Sequence, residues 1–142
     1  MIRKVNEAVS VAPQIAPEDI PAIKAAGFTA IVNNRPDGEE PDQPSGDAIR
    51  VAAEDHGLAY TAIPVTHAGF SGAQVEAMRA ALDAAGGPVL AYCRSGTRSC
   101  NLWALAEAAR GEAPDELIAE GAGAGYNLEG LRPLLETLAG RS

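Results

Sequence analysis

Cys93, Arg94 and Arg98 fall in one short stretch, Pro88-Val89-Leu90-Ala91-Tyr92-Cys93-Arg94-Ser95-Gly96-Thr97-Arg98-Ser99. A thiol beside two guanidinium groups favours the thiolate, the form that attacks electrophiles, so the chemistry on offer is nucleophilic attack by sulfur on an anionic substrate. Four apolar residues follow Pro88, and an apolar run resumes at Leu102-Trp103-Ala104-Leu105-Ala106 with helical spacing. Cys93 is therefore expected to close a strand and Arg98 to open a helix.

A loop bent between a strand and a helix directs successive backbone N–H groups inward, and the helix adds its own unpaired N–H groups and positive dipole end. An anion is stabilised there. Gly96 permits the backbone curl that such a loop needs, and Ser95, Thr97 and Ser99 can add hydroxyl donors. The expected catalytic residues are Cys93 and Arg98, with Arg94, Ser95, Gly96, Thr97 and Ser99 binding the anion. The bland alternative is a buried strand-end cysteine beside arginines that only solvate a helix start.

The rest of the chain must position this loop. Its 142 residues, 46% hydrophobic, suit one domain over 1–142 with a sizeable core. Eleven basic against nineteen acidic residues leave a net charge of −8, which argues against a nucleic-acid or anionic-membrane partner. No stretch of about 18 apolar residues occurs, and no apolar run follows Met1-Ile2-Arg3-Lys4, so a cytoplasmic location is expected. Two cysteines fit a catalytic or redox thiol better than a disulfide framework or a zinc site.

Strand and helix signals alternate. Ala8–Ala12 is a strand candidate, Pro17–Gly27 a helix, Phe28–Asn33 a strand, Asp47–His56 a helix capped by Ser45, and Leu58–Val65 a strand. Ser71-Gly72-Ala73-Gln74 is a capping box opening a helix with Val75, Met78, Ala81 and Leu82 on its buried stripe. Past Gly111 the chain reads as helical, Pro114–Glu120 and Leu128–Leu138, joined by Gly121-Ala122-Gly123-Ala124-Gly125 as a hinge or close helix contact. The order indicates an α/β fold, a mainly parallel central sheet flanked by helices, with a helical C-terminus.

Ligands sit at the carboxyl ends of parallel strands, so the loops after Asn33, Val65 and Cys93 should converge. Arg35 then becomes a third anion contact or a loop arginine paired with Asp37 or Glu39. His67 becomes a proton donor or gate, or an exposed loop histidine. Cys100 is either a resolving thiol or a small buried side chain.

Cys93-Arg94-Ser95-Gly96-Thr97-Arg98-Ser99 resembles the active-site loop of rhodanese-type sulfurtransferases. The order of elements, the Asn33-Asn34-Arg35-Pro36-Asp37-Gly38-Glu39-Glu40 turn, Ile63-Pro64-Val65 and the helical C-terminus resemble something else. They are similar to the phosphatase-like domain of the beta-lactamase hydrolase-like family, built on the dual-specificity tyrosine phosphatase fold, over roughly residues 2 to 140. That fold's pattern is Cys-x5-Arg, with a His before the Cys and an Asp in the loop corresponding to 66–70. Here Tyr92 precedes the thiol, Arg98 comes one place early with Ser99 at the arginine position, and Thr66-His67-Ala68-Gly69-Phe70 has no carboxylate.

Phosphate ester cleavage normally needs a proton donor for its leaving group, whereas sulfur transfer expels sulfite or a thiolate and needs none. The resemblances together imply a sulfurtransferase on a phosphatase body. Cys93 would take sulfane sulfur from thiosulfate or a persulfide and pass it, through a Cys93 persulfide, to a thiol, sulfite or cyanide. No cofactor or metal is implied, and a persulfide-oxidising metal enzyme is the partner that the resemblance suggests. The alternatives are a tyrosine or dual-specificity-like phosphatase acting through a Cys93 phosphocysteine, and a non-catalytic anion or phosphopeptide binding module or thiol redox sensor.

Overall fold

The computed structural model describes residues 1–140; the last two residues of the expected domain, Arg141 and Ser142, lie outside the described residues. Five strands form one sheet: β1 (Arg3–Lys4), β2 (Val9–Ala12), β3 (Ala30–Asn33), β4 (Ala59–Ala62) and β5 (Val89–Tyr92). Their order is β1-β2-β5-β3-β4. β2, β5, β3 and β4 run parallel and β1 pairs antiparallel with β2. Two exposed residues carry too little pattern to announce β1, which the sequence reading missed.

Alternation along the strands separates two cores, as the two-residue repeat of a strand requires. Val9, Val11, Ala30, Val32, Val89 and Ala91 face one layer, while Ala12, Ile31, Leu90 and Tyr92 face the other. The second layer is covered by α1 (Ile20–Ala25), preceded by the 3-10 turn Pro17–Asp19, and by α2 (Gly46–Asp55). The first is covered by α3 (Gly72–Ala84), α4 (Thr97–Ala109), α5 (Pro114–Gly123) and α6 (Arg132–Gly140). α4 is the pivot: it packs against α3, α5 and α6 as well as the sheet, which explains its run of apolar residues.

The expected caps form. Ser45 Oγ accepts from the Ala48 N–H at 3.1 Å. Ser71 and Gln74 make the reciprocal box, with Ser71 Oγ accepting from Gln74 N at 3.1 Å and Gln74 Oε1 from Ser71 N at 2.8 Å. Gln74 also donates through Nε2 to the Pro64 carbonyl at 2.9 Å, tying the start of α3 to the loop after β4.

Several boundaries differ from the sequence reading. α4 starts at Thr97, one residue before Arg98. β4 ends at Ala62, although Ile63 and Val65 stay buried. Of the two readings of the glycine-rich segment, the close contact holds and the hinge does not, because α5 runs on through Gly123. Gly121 is there for packing: a Cβ on it would stand 2.5 Å from Leu128 Cδ1, and Leu128 is itself buried. Leu128–Leu138 likewise splits into a 3-10 turn, Glu129–Leu131, and α6. Among the described residues no helix is long and apolar enough to cross a membrane.

Gly121→Val should therefore overpack this contact and cost about 1–3 kcal/mol, measured by urea unfolding monitored at far-UV wavelengths.

Candidate active site

β5 delivers Cys93 to the carboxyl edge of the sheet. Its N–H donates to the Ala12 carbonyl at 3.3 Å, extending the β2–β5 ladder by one bond, and the side chain is fully buried. The chain then turns through Gly96, whose φ of +91° suits glycine, and enters α4. The Gly96 N–H donates to Cys93 Sγ at 3.1 Å, so a backbone dipole already points at the sulfur. A side chain on Gly96 would also collide with the Tyr126 hydroxyl, which donates to the Ser95 carbonyl at 3.0 Å. Tyr126, from the segment after α5, thus braces the back of the loop. No sequence signal marked it.

Ser95 Oγ donates to Thr97 Oγ1 at 3.0 Å, and both residues are exposed. They line a cleft of about 630 Å³ with Arg94, Arg98, His67 and Phe70. Asn101, one turn into α4, lines it too and was not foreseen. The loops after β4 and β5 thus meet at one edge, as parallel topology requires.

The loop after β3 joins them through charge. Arg98 forms a two-bond pair with Glu39, Nη1 to Oε2 at 2.7 Å and Nη2 to Oε1 at 2.9 Å, while Nη1 also donates to the Val65 carbonyl at 2.7 Å. Arg35 spends all three nitrogens, Nε on Glu39 at 2.8 Å, Nη1 on Gln14 Oε1 at 3.0 Å and Nη2 on Glu40 at 2.7 Å. Its side chain is only 2% exposed. The sequence reading of Arg35 as an anion contact gives way to its pairing alternative: it acts on the site through Glu39 and Glu40. Arg94 is exposed, with Glu40 Oε2 3.5 Å from its Nη2.

Ser99 also departs from its expected role. It is fully buried and its hydroxyl donates to Asn34 Oδ1 at 2.8 Å, so that proton is spent inside the fold rather than on an anion. Asn34 in turn donates through Nδ2 to the Ile63 carbonyl at 2.9 Å. The Ser99–Asn34–Ile63 chain fixes the start of α4 to the ends of β3 and β4.

These contacts set the protonation states. The hydrogen bonds from Arg98, and then from Arg35, outweigh burial and hold the Glu39 carboxyl down to about 2. The same Glu39 bond raises Arg98 against its own burial. Burial, with the neighbouring Cys93, pushes the Cys100 thiol up to about 12, and its side chain is fully buried. Burial likewise raises Tyr92, the residue in the family's histidine position, far above the ordinary phenol range.

The sequence profile of the beta-lactamase hydrolase-like protein, phosphatase-like domain, matches residues 1–110. The beta-lactamase hydrolase-like protein of Xylella fastidiosa is 38% identical over 125 residues, which are 87% of this chain but 29% of that protein. The chain thus spans less than a third of that relative. Among solved structures, nma1982 of Neisseria meningitidis, a candidate phosphatase, superposes with a TM-score of 0.83 at 38% identity. The match covers 96% of this chain and 97% of that one. Kinase associated phosphatase superposes with a TM-score of 0.72 at 16% identity, covering 99% of this chain and 94% of its own, a likeness of fold. The architecture is the dual-specificity tyrosine phosphatase fold.

Glu39 gives a pH prediction. Its folded-state pKa lies below the ordinary 4.5, so its stabilisation is present above about pH 4.5 and is lost as pH falls toward 2. Glu39→Gln should cost on the order of 1–3 kcal/mol at pH 7, and the gap from wild type should close between pH 4.5 and 2. Urea unfolding of both chains across that range measures it.

Proposed function

The chain belongs to the phosphatase-like domain family of beta-lactamase hydrolase-like proteins, and on that footing we propose that it is a cysteine-dependent phosphatase of aryl phosphate monoesters. The observation that carries this reading is Cys93 Sγ at the closed end of a strand-loop-helix turn, with the Gly96 N–H 3.1 Å away and the N-terminus of α4 behind it. A phosphoryl group brought into the cleft meets the loop N–H groups, Arg94 and Arg98. Cys93 attacks phosphorus, the P–O bond to the leaving group breaks, and a phosphocysteine forms that water then hydrolyses.

Proton donation shapes the substrate range. The 66–70 loop has no carboxylate, and Glu39, held ionised by Arg98, has no proton to give near neutral pH. His67 lines the cleft and is the donor in this scheme. With no carboxylate in that loop, substrates with good leaving groups should be favoured.

Two features of the sequence also favour sulfur transfer. The Cys93-to-Arg98 spacing and the absent loop carboxylate suit a reaction whose leaving group needs no proton, in which Cys93 takes sulfane sulfur from thiosulfate or a persulfide and yields it to a thiol or sulfite. Both readings share the same nucleophile and differ in the atom transferred.

Cys93→Ser should lower turnover of 4-nitrophenyl phosphate by at least about 10³-fold. Arg98→Lys, which loses the two-bond fork, should lower it by about 10²-fold. Intact-protein mass decides between the readings. A gain of one sulfur, about 32 Da, on wild type but not on Cys93→Ser after thiosulfate treatment, without aryl phosphate turnover, makes the chain a sulfurtransferase. Cys93-dependent aryl phosphate turnover without that adduct makes it a phosphatase.

A further inference from the structure

The arginines of the cleft are already committed. Of the five N–H donors of Arg98, Glu39 and the Val65 carbonyl take three, which among the described residues leaves the Nε–H and one Nη2–H for an incoming anion. Arg35 is buried and shared between Glu39 and Glu40. Arg94, the exposed member, has Glu40 beside it. Three guanidinium groups face two carboxylates, so one net positive charge remains from the whole cluster. The carboxylates cannot easily swing aside: Glu39 bonds to two arginines and its loop is pinned by Gln43, which donates to the Pro36 carbonyl at 2.9 Å and accepts from the Glu39 N–H at 3.1 Å.

An anion on Cys93 therefore uses the remaining N–H groups of Arg98 with a fixed carboxylate on the other edge of the same guanidinium. A second negative charge would be carried close to Glu39 and Glu40 with no further free cation to meet it but Arg94. We propose that Glu39 and Glu40 are specificity-determining residues that select substrate charge, so that the site takes a singly charged group in preference to a doubly charged one. The substrate class is then a phosphomonoester in its singly protonated form, which predominates below a second pKa of about 6, or a monoanion of similar shape. This rests on the reading of the Cys93 loop as an anion site and holds whichever atom is transferred.

The test is isothermal titration at fixed pH 7.5 on the full chain carrying Cys93→Ser, with phenyl phosphate as dianion and benzenesulfonate as monoanion. The two share a ring and three terminal oxygens. The Cys93→Ser chain should bind benzenesulfonate at least as tightly as phenyl phosphate. Adding Glu39→Gln or Glu40→Gln should tighten phenyl phosphate about tenfold and benzenesulfonate only about threefold, because the monoanion feels the lost carboxylate half as strongly. Glu40, more exposed than Glu39, supplies the variant that keeps its fold if Glu39→Gln does not. A preference for phenyl phosphate in the Cys93→Ser chain, or equal tightening of both ligands, overturns the inference and leaves the anion site standing. Binding of neither ligand by any variant overturns the anion site itself, and the inference with it.

Discussion

The Arg98–Glu39 pair joins three segments that the chain keeps far apart. Glu39 lies in the loop after β3, Arg98 in the first turn of α4, and the Val65 carbonyl that shares Nη1 lies after β4. A guanidinium is suited to this because its rigid fork bonds a carboxylate through two nitrogens and still has donors over. Without the pair, the loop carrying Glu39 and Glu40 would keep its contacts to Arg35, Arg94, Gln43 and Gly46, and Arg98 would have an unanswered charge in a partly buried position. The contact holds Arg98 where it lines the cleft.

Around it the fold supplies rigidity. Every residue of β5 is buried, as is most of α4, so the turn between them is held at both ends by packed core. Ser99, Asn34 and Ile63 add a buried hydrogen-bonded chain parallel to the Arg98 contact, and Tyr126 braces the outside of the loop. The polar groups at this edge are thus used twice, once to satisfy buried backbone and once to orient the groups an anion would meet. This agrees with the rule that buried polar atoms find partners, since no buried side-chain nitrogen or oxygen among the described residues lacks one.

Much of this was legible in the sequence because its signals are local. The two-residue alternation of the strands, the Ser71 and Gln74 box and the Cys93–Gly96–Arg98 spacing each follow from neighbours in the chain. What escaped depends on distant residues. Nothing near Tyr126 reports that it meets Ser95, and Glu39 looks like one of several acids in a polar loop until the sheet brings it to Arg98. Gly121 read as either hinge or close contact, and only Leu128, on the segment that follows α5, decides for the contact. Ser99 misled for a related reason: a hydroxyl beside an anion loop has the right chemistry, and only the helix start decides which way it faces.

That helix start also explains the early arginine. Counting five residues on from Cys93 reaches Ser99, which is turned into the core toward Asn34. Successive residues of a helix are about 100° apart, so Arg98 lies a quarter-turn or more away, on the side that lines the cleft. Arg98 therefore takes the outward face of α4, and the Cys93-to-Arg98 spacing is one residue shorter than Cys-x5-Arg. A shorter loop has one amide fewer to offer an anion. An anion bound there, as proposed, would lean more on Arg94 and Arg98, and so on the two carboxylates that already hold them.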